Sequence, residues 1–370
     1  MSYSIITMDT GTRFELIREV GEEIITENEL RGLLRKKKNL IAYDGFEPSG
    51  MDIHIAQGLL RAININKMTR AGCRFKMLVA DWHAWANNKM GGDLEKIQKV
   101  GQYLIEVWKA SDMDLSRVEF VWASEQVKED EYWKKVMQTA RNSTVKRIIR
   151  CGQIMGRNEE EVLQASQILY PCMQCADIFH LKADITQLGM DQRRVNMLAR
   201  EIGPSLGFWK PVVVSHHMLM GLGKPATNET SSTERAIELK MSKSKPETAI
   251  FMSDSESDIA RKINKAYCPE REVRDNPVLE YCRYIIFEKL REMKKPLSID
   301  RPQKYGGPVF YESYGQLEKA FREGSLHPLD LKRATSEHLN LLLVPVRKRL
   351  GRNRKAQELA KEIKRFRVTR

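Results

Sequence analysis

Apolar positions along this chain fall into short continuous runs that alternate with longer stretches of helical period. Residues 13–38 repeat apolar side chains at helical spacing and end in the basic run Arg35, Lys36, Lys37, Lys38, a pattern that predicts one helix. Leu40, Ile41, Ala42 and Tyr43 follow as an apolar segment cut off by Asp44 and Gly45, which reads as a buried strand. The alternation continues with a helix over 54–70, a strand over 75–80, a helix over 93–110 and a strand over 118–123. Two further strands are predicted at 185–188 and 212–215, each next to a helical stretch.

Apolar strands separated by amphipathic helices imply parallel strands joined by crossovers, because the strands are never linked by a hairpin-length turn. The predicted fold is α/β, a Rossmann-like doubly wound parallel sheet, and such sheets bind ligands at the carboxyl ends of their strands. Residues 227–233 are rich in Thr, Ser and Asn without an apolar anchor, so a mobile loop is expected there. The whole segment 223–239 is long for a connection ahead of the lysine-rich motif it precedes. Beyond residue 255 the strand signals fade, and helices are expected over 259–266, 278–293, 314–322, 330–343 and 356–366. The division that follows is an N-terminal helical segment (1–38), a catalytic α/β domain (39–255) and a smaller helical domain (256–370), in keeping with a 370-residue chain that exceeds what one core usually serves.

Composition narrows the class. Apolar content of 42% and charged content of 30% are ordinary for a soluble globular protein and exclude collagen-like or disordered chains. The net charge of +13 is enough to attract a polyanion without naming one. No run approaches the ~18 apolar residues of a membrane span. The acidic N-terminus, with Asp9, Glu15, Glu19, Glu22 and Glu23, resembles neither a transit nor a signal peptide, so a cytosolic location is expected. Only Cys172 and Cys175 among six cysteines have metal-like spacing; without a second pair they read as buried reduced thiols, and no structural metal is expected.

Two short motifs carry the chemistry. His54, Ile55, Ala56, Gln57 follows the loop Gly45, Phe46, Glu47, Pro48, Ser49, Gly50 and opens a helix; Lys240, Met241, Ser242, Lys243, Ser244 follows the polar loop. Together they resemble the two signatures of class I aminoacyl-tRNA synthetases, HIGH and KMSKS. The second is present letter for letter, whereas Ala56 and Gln57 replace the glycine and second histidine of the first. The resemblance implies catalytic roles for His54, Gln57, Lys240 and Lys243, and an ATP site formed by these with Gly45, Met241, Ser242 and Ser244. The residue types suit that chemistry, because an amino-acid carboxylate must attack an α-phosphate, and cations on a loop can stabilise the charge that builds on the leaving pyrophosphate. Mg2+ would accompany ATP.

The segments 42–50, 79–84, 170–177 and 189–200, with the run Lys89, Met90, Gly91, Gly92, Asp93, Leu94, resemble the tyrosyl-tRNA synthetases of archaea and eukaryotes, closest in appearance to cytosolic eukaryotic forms including protozoan ones. The resemblance implies that Tyr43 and Asp177 hold the substrate hydroxyl, that Tyr170, Gln174 and Gln192 hold its amino group, and that His83 and Asp81 line the same pocket. Tyr170, Gln174 and Asp177 are spaced to share one helix face. In the C-terminal region, Tyr305, His327 and Asp330 match the family's anticodon-reading residues, an aromatic–histidine sandwich with a carboxylate on the base edge, a mode suited to splayed single-stranded RNA. Partners implied are L-tyrosine, ATP, tyrosine tRNA and a second copy of the chain, contacted around 125–165. A tryptophanyl-tRNA synthetase, a small-metabolite nucleotidyltransferase and a catalytically silent tRNA-binding relative remain as alternatives.

Overall fold

The computed structural model describes residues 8–50, 52–152, 164–225, 235 and 238–366. Six strands form the main sheet: β1 (Gly21–Ile25), β2 (Leu40–Phe46), β3 (Cys73–Val79), β4 (Val118–Trp122), β5 (Ile185–Thr186) and β6 (Val212–His216). Their order is β1-β6-β5-β2-β3-β4. Every pairing is parallel except β1 with β6. Strand order reverses at β2, which pairs with β3 on one side and β5 on the other, so its carboxyl end faces the crevice where such sheets bind ligands.

Several expectations are corrected. Residues 13–38 are not one helix but Thr10–Arg18, then β1, then Glu27–Lys36. A capping box, with Thr26 and Glu29 each accepting from the other's backbone N–H, starts the second helix anew. Strand β2 does not stop at Tyr43; it runs through Asp44 and Gly45 to Phe46, paired with β3 from Leu40↔Cys73 to Phe46↔Val79. The helix expected over 54–70 begins with a π-turn at Ala56–Leu60 and continues as Arg61–Arg70. The C-terminal region is not purely helical, because β7 (Leu297–Ile299) and β8 (Val309–Tyr311) form an antiparallel hairpin. Its long helix, Pro328–Arg352, extends nine residues beyond the expected end. The polar loop at 227–233 lies outside the described residues.

Two apolar cores cover the two faces of the sheet. One includes Leu40, Ala42 and Phe46 of β2 and continues without a break into Tyr281, Leu331 and Ile363 of the C-terminal helices. The other packs Tyr43 and Leu78 against Cys175, Ala176 and Phe179 of the helix Ala165–His180. Alternation along β2 thus sends Tyr43 to one face and Asp44 to the other. All six cysteines are buried free thiols.

Trp108 shows how the core reaches the site. It sits in Leu94–Ala110, a helix capped by the Asp93 side chain. Fully buried, it packs edge-on against Phe46 with ring centroids 4.4 Å apart and donates its indole N–H to the Gln57 carbonyl at 2.8 Å. Burial of a side chain this large contributes about 2–3 kcal/mol, and the same contact fixes the backbone of the first signature.

Candidate active site

A cavity of about 420 Å3 opens at the carboxyl end of β2. At one end lies the helix Ala165–His180, whose face presents Tyr170, Gln174 and Asp177. Asp177 is fully buried; its Oδ1 accepts from Gln126 Nε2 at 3.2 Å and from the Tyr132 hydroxyl at 3.1 Å. Its Oδ2 lies 2.9 Å from His83 Nε2, but the two are not aligned for a hydrogen bond, so Oδ2 keeps an unfilled acceptor. Burial alone would depress the His83 pKa; the Asp177 charge outweighs it and holds that pKa above the ordinary value. Tyr43 runs along its strand, placing its hydroxyl 3.4 Å from where a Cβ on Gly45 would sit. Burial, then the charges of Asp177 and Asp44, push its phenol well above the usual tyrosine range, so it stays protonated as a donor.

Gln174 donates to Gln192 at 2.9 Å, which links the helix to the segment after β5. Burial and a hydrogen bond to Glu47 keep the Tyr170 hydroxyl protonated. Glu47 in turn accepts from Asn87 Nδ2 at 3.2 Å and lies 3.8 Å from Lys89 Nζ. Asp81 does not join this group: it is absent from the cavity wall. Its oxygens accept from Trp82 N, Ser124 N and Gln98 Nε2 at 2.9–3.0 Å, ties that hold the segment after β3 in place.

The other end carries both signatures. His54 stands before the helix, in a bridge with Phe251. Burial, then the charges of Lys243 and Arg61, hold its pKa far below the ordinary value, leaving a neutral imidazole. Gln57 lines the cavity with its side-chain oxygen buried and unpartnered. Across from them, Lys240 pairs with Asp191 at 2.9 Å, and Lys243 donates to the Ser49 carbonyl. Burial depresses Lys243 to about 8, partly opposed by Asp52. Met241, Ser242, Ser244 and Gly45 also line the cavity.

The C-terminal residues lie apart from this cavity. Tyr305, 61% exposed, sits in the connection between β7 and β8. His327 caps the helix Pro328–Arg352, accepting from Leu329 N at 3.1 Å, and Asp330 lies in its first turn, 3.6 Å from Arg333. Hydrogen bonds from Arg301 to the Gly307 and Ser325 carbonyls and from Arg333 to the Asp300 carbonyl tie the hairpin to that helix start.

Sequence reasoning missed Gln126, Tyr132, Asp44, Arg61 and Asp191. Asp191 stands beside Gln192 in the chain, a signal that could have found it; the pairing of Gln126 and Tyr132 with Asp177 spans 51 and 45 residues and leaves no local signal.

Comparison with known proteins agrees with this geometry. The sequence model of the family described as tRNA synthetases class I (W and Y) matches residues 35–344. A cytoplasmic tyrosine–tRNA ligase of Arabidopsis thaliana is 51% identical over 97% of this chain and 89% of its own length. The crystal structure of Leishmania major tyrosyl-tRNA synthetase with tyrosinol superposes with a TM-score of 0.87 at 45% identity, covering 97% of this chain; this chain spans 61% of that one. The Pyrococcus horikoshii enzyme with L-tyrosine gives a TM-score of 0.88 at 39% identity over 96% of this chain and 100% of its own. The chain therefore belongs to the class I tRNA synthetases of the W and Y family, among its tyrosine–tRNA ligases.

Proposed function

We propose that the protein activates L-tyrosine with ATP and then esterifies it to the 3′ end of its tRNA. The observation that supports this best is that one cavity carries a buried carboxylate with an open acceptor beside Tyr43 at one end and Lys240, Lys243 and His54 at the other. A phenol held by Asp177 and Tyr43 would direct its amino-acid end towards the signature residues, with Tyr170, Gln174 and Gln192 holding the amino group. The tyrosine carboxylate attacks the α-phosphate, a mixed anhydride forms, and the bond to pyrophosphate breaks. Lys240 and Lys243 offset the charge that develops on the departing pyrophosphate, with Gln57 and His54 offering further polar contacts and Gly45 leaving room for the nucleotide. A terminal ribose hydroxyl of the tRNA then attacks the tyrosyl carbonyl and AMP leaves.

Mg2+ enters on the triphosphate as part of the substrate. Among the described residues no group of three or more His, Cys, Asp or Glu side chains could hold a resident metal. Tryptophan would bring no hydroxyl to Asp177 and would leave its acceptor unfilled, at a cost of about 1–3 kcal/mol. Residues 39–255 form the activating domain on this reading and 256–370 the part that reads the anticodon, through Tyr305, His327 and Asp330. Two copies pair around 125–165, where Met137 and Val145 are exposed apolar side chains. The protein works in the cytosol; no helix among the described residues is long and apolar enough to cross a membrane. ATP–pyrophosphate exchange with each of the twenty amino acids tests the reading: tyrosine alone should support exchange, and exchange with tryptophan instead would overturn it.

A further inference from the structure

Met220 follows Leu219 of the cavity wall and forms an antiparallel bridge with Lys240 of the second signature. The hydrogen bonds of that bridge come from the flanking residues: Gly221 N donates to the Leu239 carbonyl at 2.9 Å, and Met241 N to the Leu219 carbonyl at 2.7 Å. In such a pair the two facing residues turn their own N–H and C=O groups away from each other. Both outward groups of Met220 are taken by consecutive side chains of the helix Pro277–Tyr281. Glu280 Oε2 accepts from Met220 N at 2.9 Å, and the Tyr281 hydroxyl donates to the Met220 carbonyl at 2.8 Å. Two side chains stand where a third strand would pair.

Local features make this brace stiff. Pro277 opens the helix, and Asn276 caps it by accepting from Val278 N at 3.1 Å and Leu279 N at 3.3 Å. Tyr281 is fully buried, and burial together with the Glu280 charge keeps its phenol protonated, so the hydroxyl remains a donor. Met220 is buried as well, so removing either partner leaves an unfilled polar backbone group in the interior. Arg235, ahead of the signature, pairs with Asp275 beside the same helix start.

We propose that Glu280 and Tyr281 are positioning residues for tyrosine activation: by fixing the Met220 backbone they hold Lys240 at the departing pyrophosphate. Neither lines the cavity. Asp191 steadies only the ammonium end of Lys240, and a flexible four-carbon stem transmits no fixed position unless its backbone is held. Both bracing residues lie beyond residue 255, so the activating part takes its support from the C-terminal part.

This inference rests on the tyrosine-activation reading, and the test separates the two. The full chain is assayed for tyrosine-dependent ATP–pyrophosphate exchange, below the melting temperature of each variant, in wild type, Tyr281→Phe, Glu280→Ala and Glu280→Gln, each alone and combined with Lys240→Ala. Tyr281→Phe should lower kcat/KM for ATP by about 3- to 10-fold and Glu280→Ala by about 10-fold or more, the scales of a neutral and a charge-assisted hydrogen bond. KM for tyrosine should stay within about twofold. Glu280→Gln keeps an oxygen that accepts from Met220 N and should restore exchange to within about threefold of wild type. In the Lys240→Ala background, Tyr281→Phe and Glu280→Ala should each change kcat/KM for ATP by less than about twofold, because the side chain they position is gone. A folding defect would act in both backgrounds, so losses of equal size with and without Lys240 would overturn the proposal. Unchanged exchange in Tyr281→Phe and Glu280→Ala would overturn it too, as would Glu280→Gln as slow as Glu280→Ala, which would assign the loss to the charge beside His217. Wild type without tyrosine-dependent exchange would instead overturn the proposed function.

Discussion

His217 Nε2 lies 3.2 Å from Glu280 Oε1, joining the wall of the cavity to a helix of the C-terminal part. The other ring nitrogen is 3.1 Å from Glu22 of β1, and the ring stacks on Tyr284 at 4.1 Å. Glu280 Oε2 also accepts from Met220 N at 2.9 Å. One carboxylate thus holds both ends of the segment that carries Met218 and Leu219 into the cavity.

Burial opposes charge on His217, but its hydrogen bond to Glu22 and its ion pair with Glu280 raise its pKa to about 9. A raised folded pKa contributes stability that is fully present below the unfolded value of roughly 6.5 and is lost as pH rises through 9. Glu280→Gln should lower the melting temperature by about 2–5 °C near pH 7, and the gap to wild type should close by pH 10. Thermal melts across that range check this; a gap independent of pH would remove the histidine from the account.

Lys243 carries a depressed pKa of about 8, so in the free enzyme its charge falls away as pH rises through that value. The kcat/KM for ATP in pyrophosphate exchange should decline above pH 8 in wild type and stay level in Lys243→Arg, whose guanidinium does not deprotonate. Lys243→Ala should slow exchange by roughly 100-fold, with tyrosine affinity within about twofold. Initial-rate measurements over pH 6.5–9.5 decide the matter.

Asp177→Asn keeps the shape of the tyrosine end but turns a carboxylate oxygen into a donor facing His83 and the substrate hydroxyl. The kcat/KM for tyrosine should fall by about 10- to 100-fold. That for phenylalanine should change much less, so the preference between them narrows. Exchange assays with both amino acids measure it, and a melt of the same variant separates loss of the substrate contact from loss of the bonds to Tyr132 and Gln126.

His327→Ala, Asp330→Ala and Tyr305→Leu change residues outside the cavity wall. Each should reduce tRNA charging by about 10-fold or more, the scale of losing a stacked base or an edge hydrogen bond, while tyrosine-dependent exchange stays within about twofold. Equal damage to both reactions would assign these positions to folding.

The strands β2, β3, β4 and β6 were legible because each contains a short, mainly apolar segment set next to a helical stretch, and the signature lysines were legible because their chemistry depends on a contiguous motif. The local period of the chain also revealed the helix face of Tyr170, Gln174 and Asp177, which needs no partner to define it. Residues 13–38 were misread because β1 is a five-residue edge strand, partly exposed along its length, and such a segment becomes a strand only through pairing with β6, whose partner residues lie 188 to 195 positions further along the chain. The three-residue strands β7 and β8 escaped detection for the same reason. Likewise Asp177 met Tyr132 and Gln126, Asp44 met Arg61, and Asp81 turned away from the cavity only when distant elements packed together. Short-range patterning records the hydrophobic period and the ends of elements. Contacts across tens of residues depend on how whole faces are buried, a choice made by the sum of the packing and not by any one stretch of sequence.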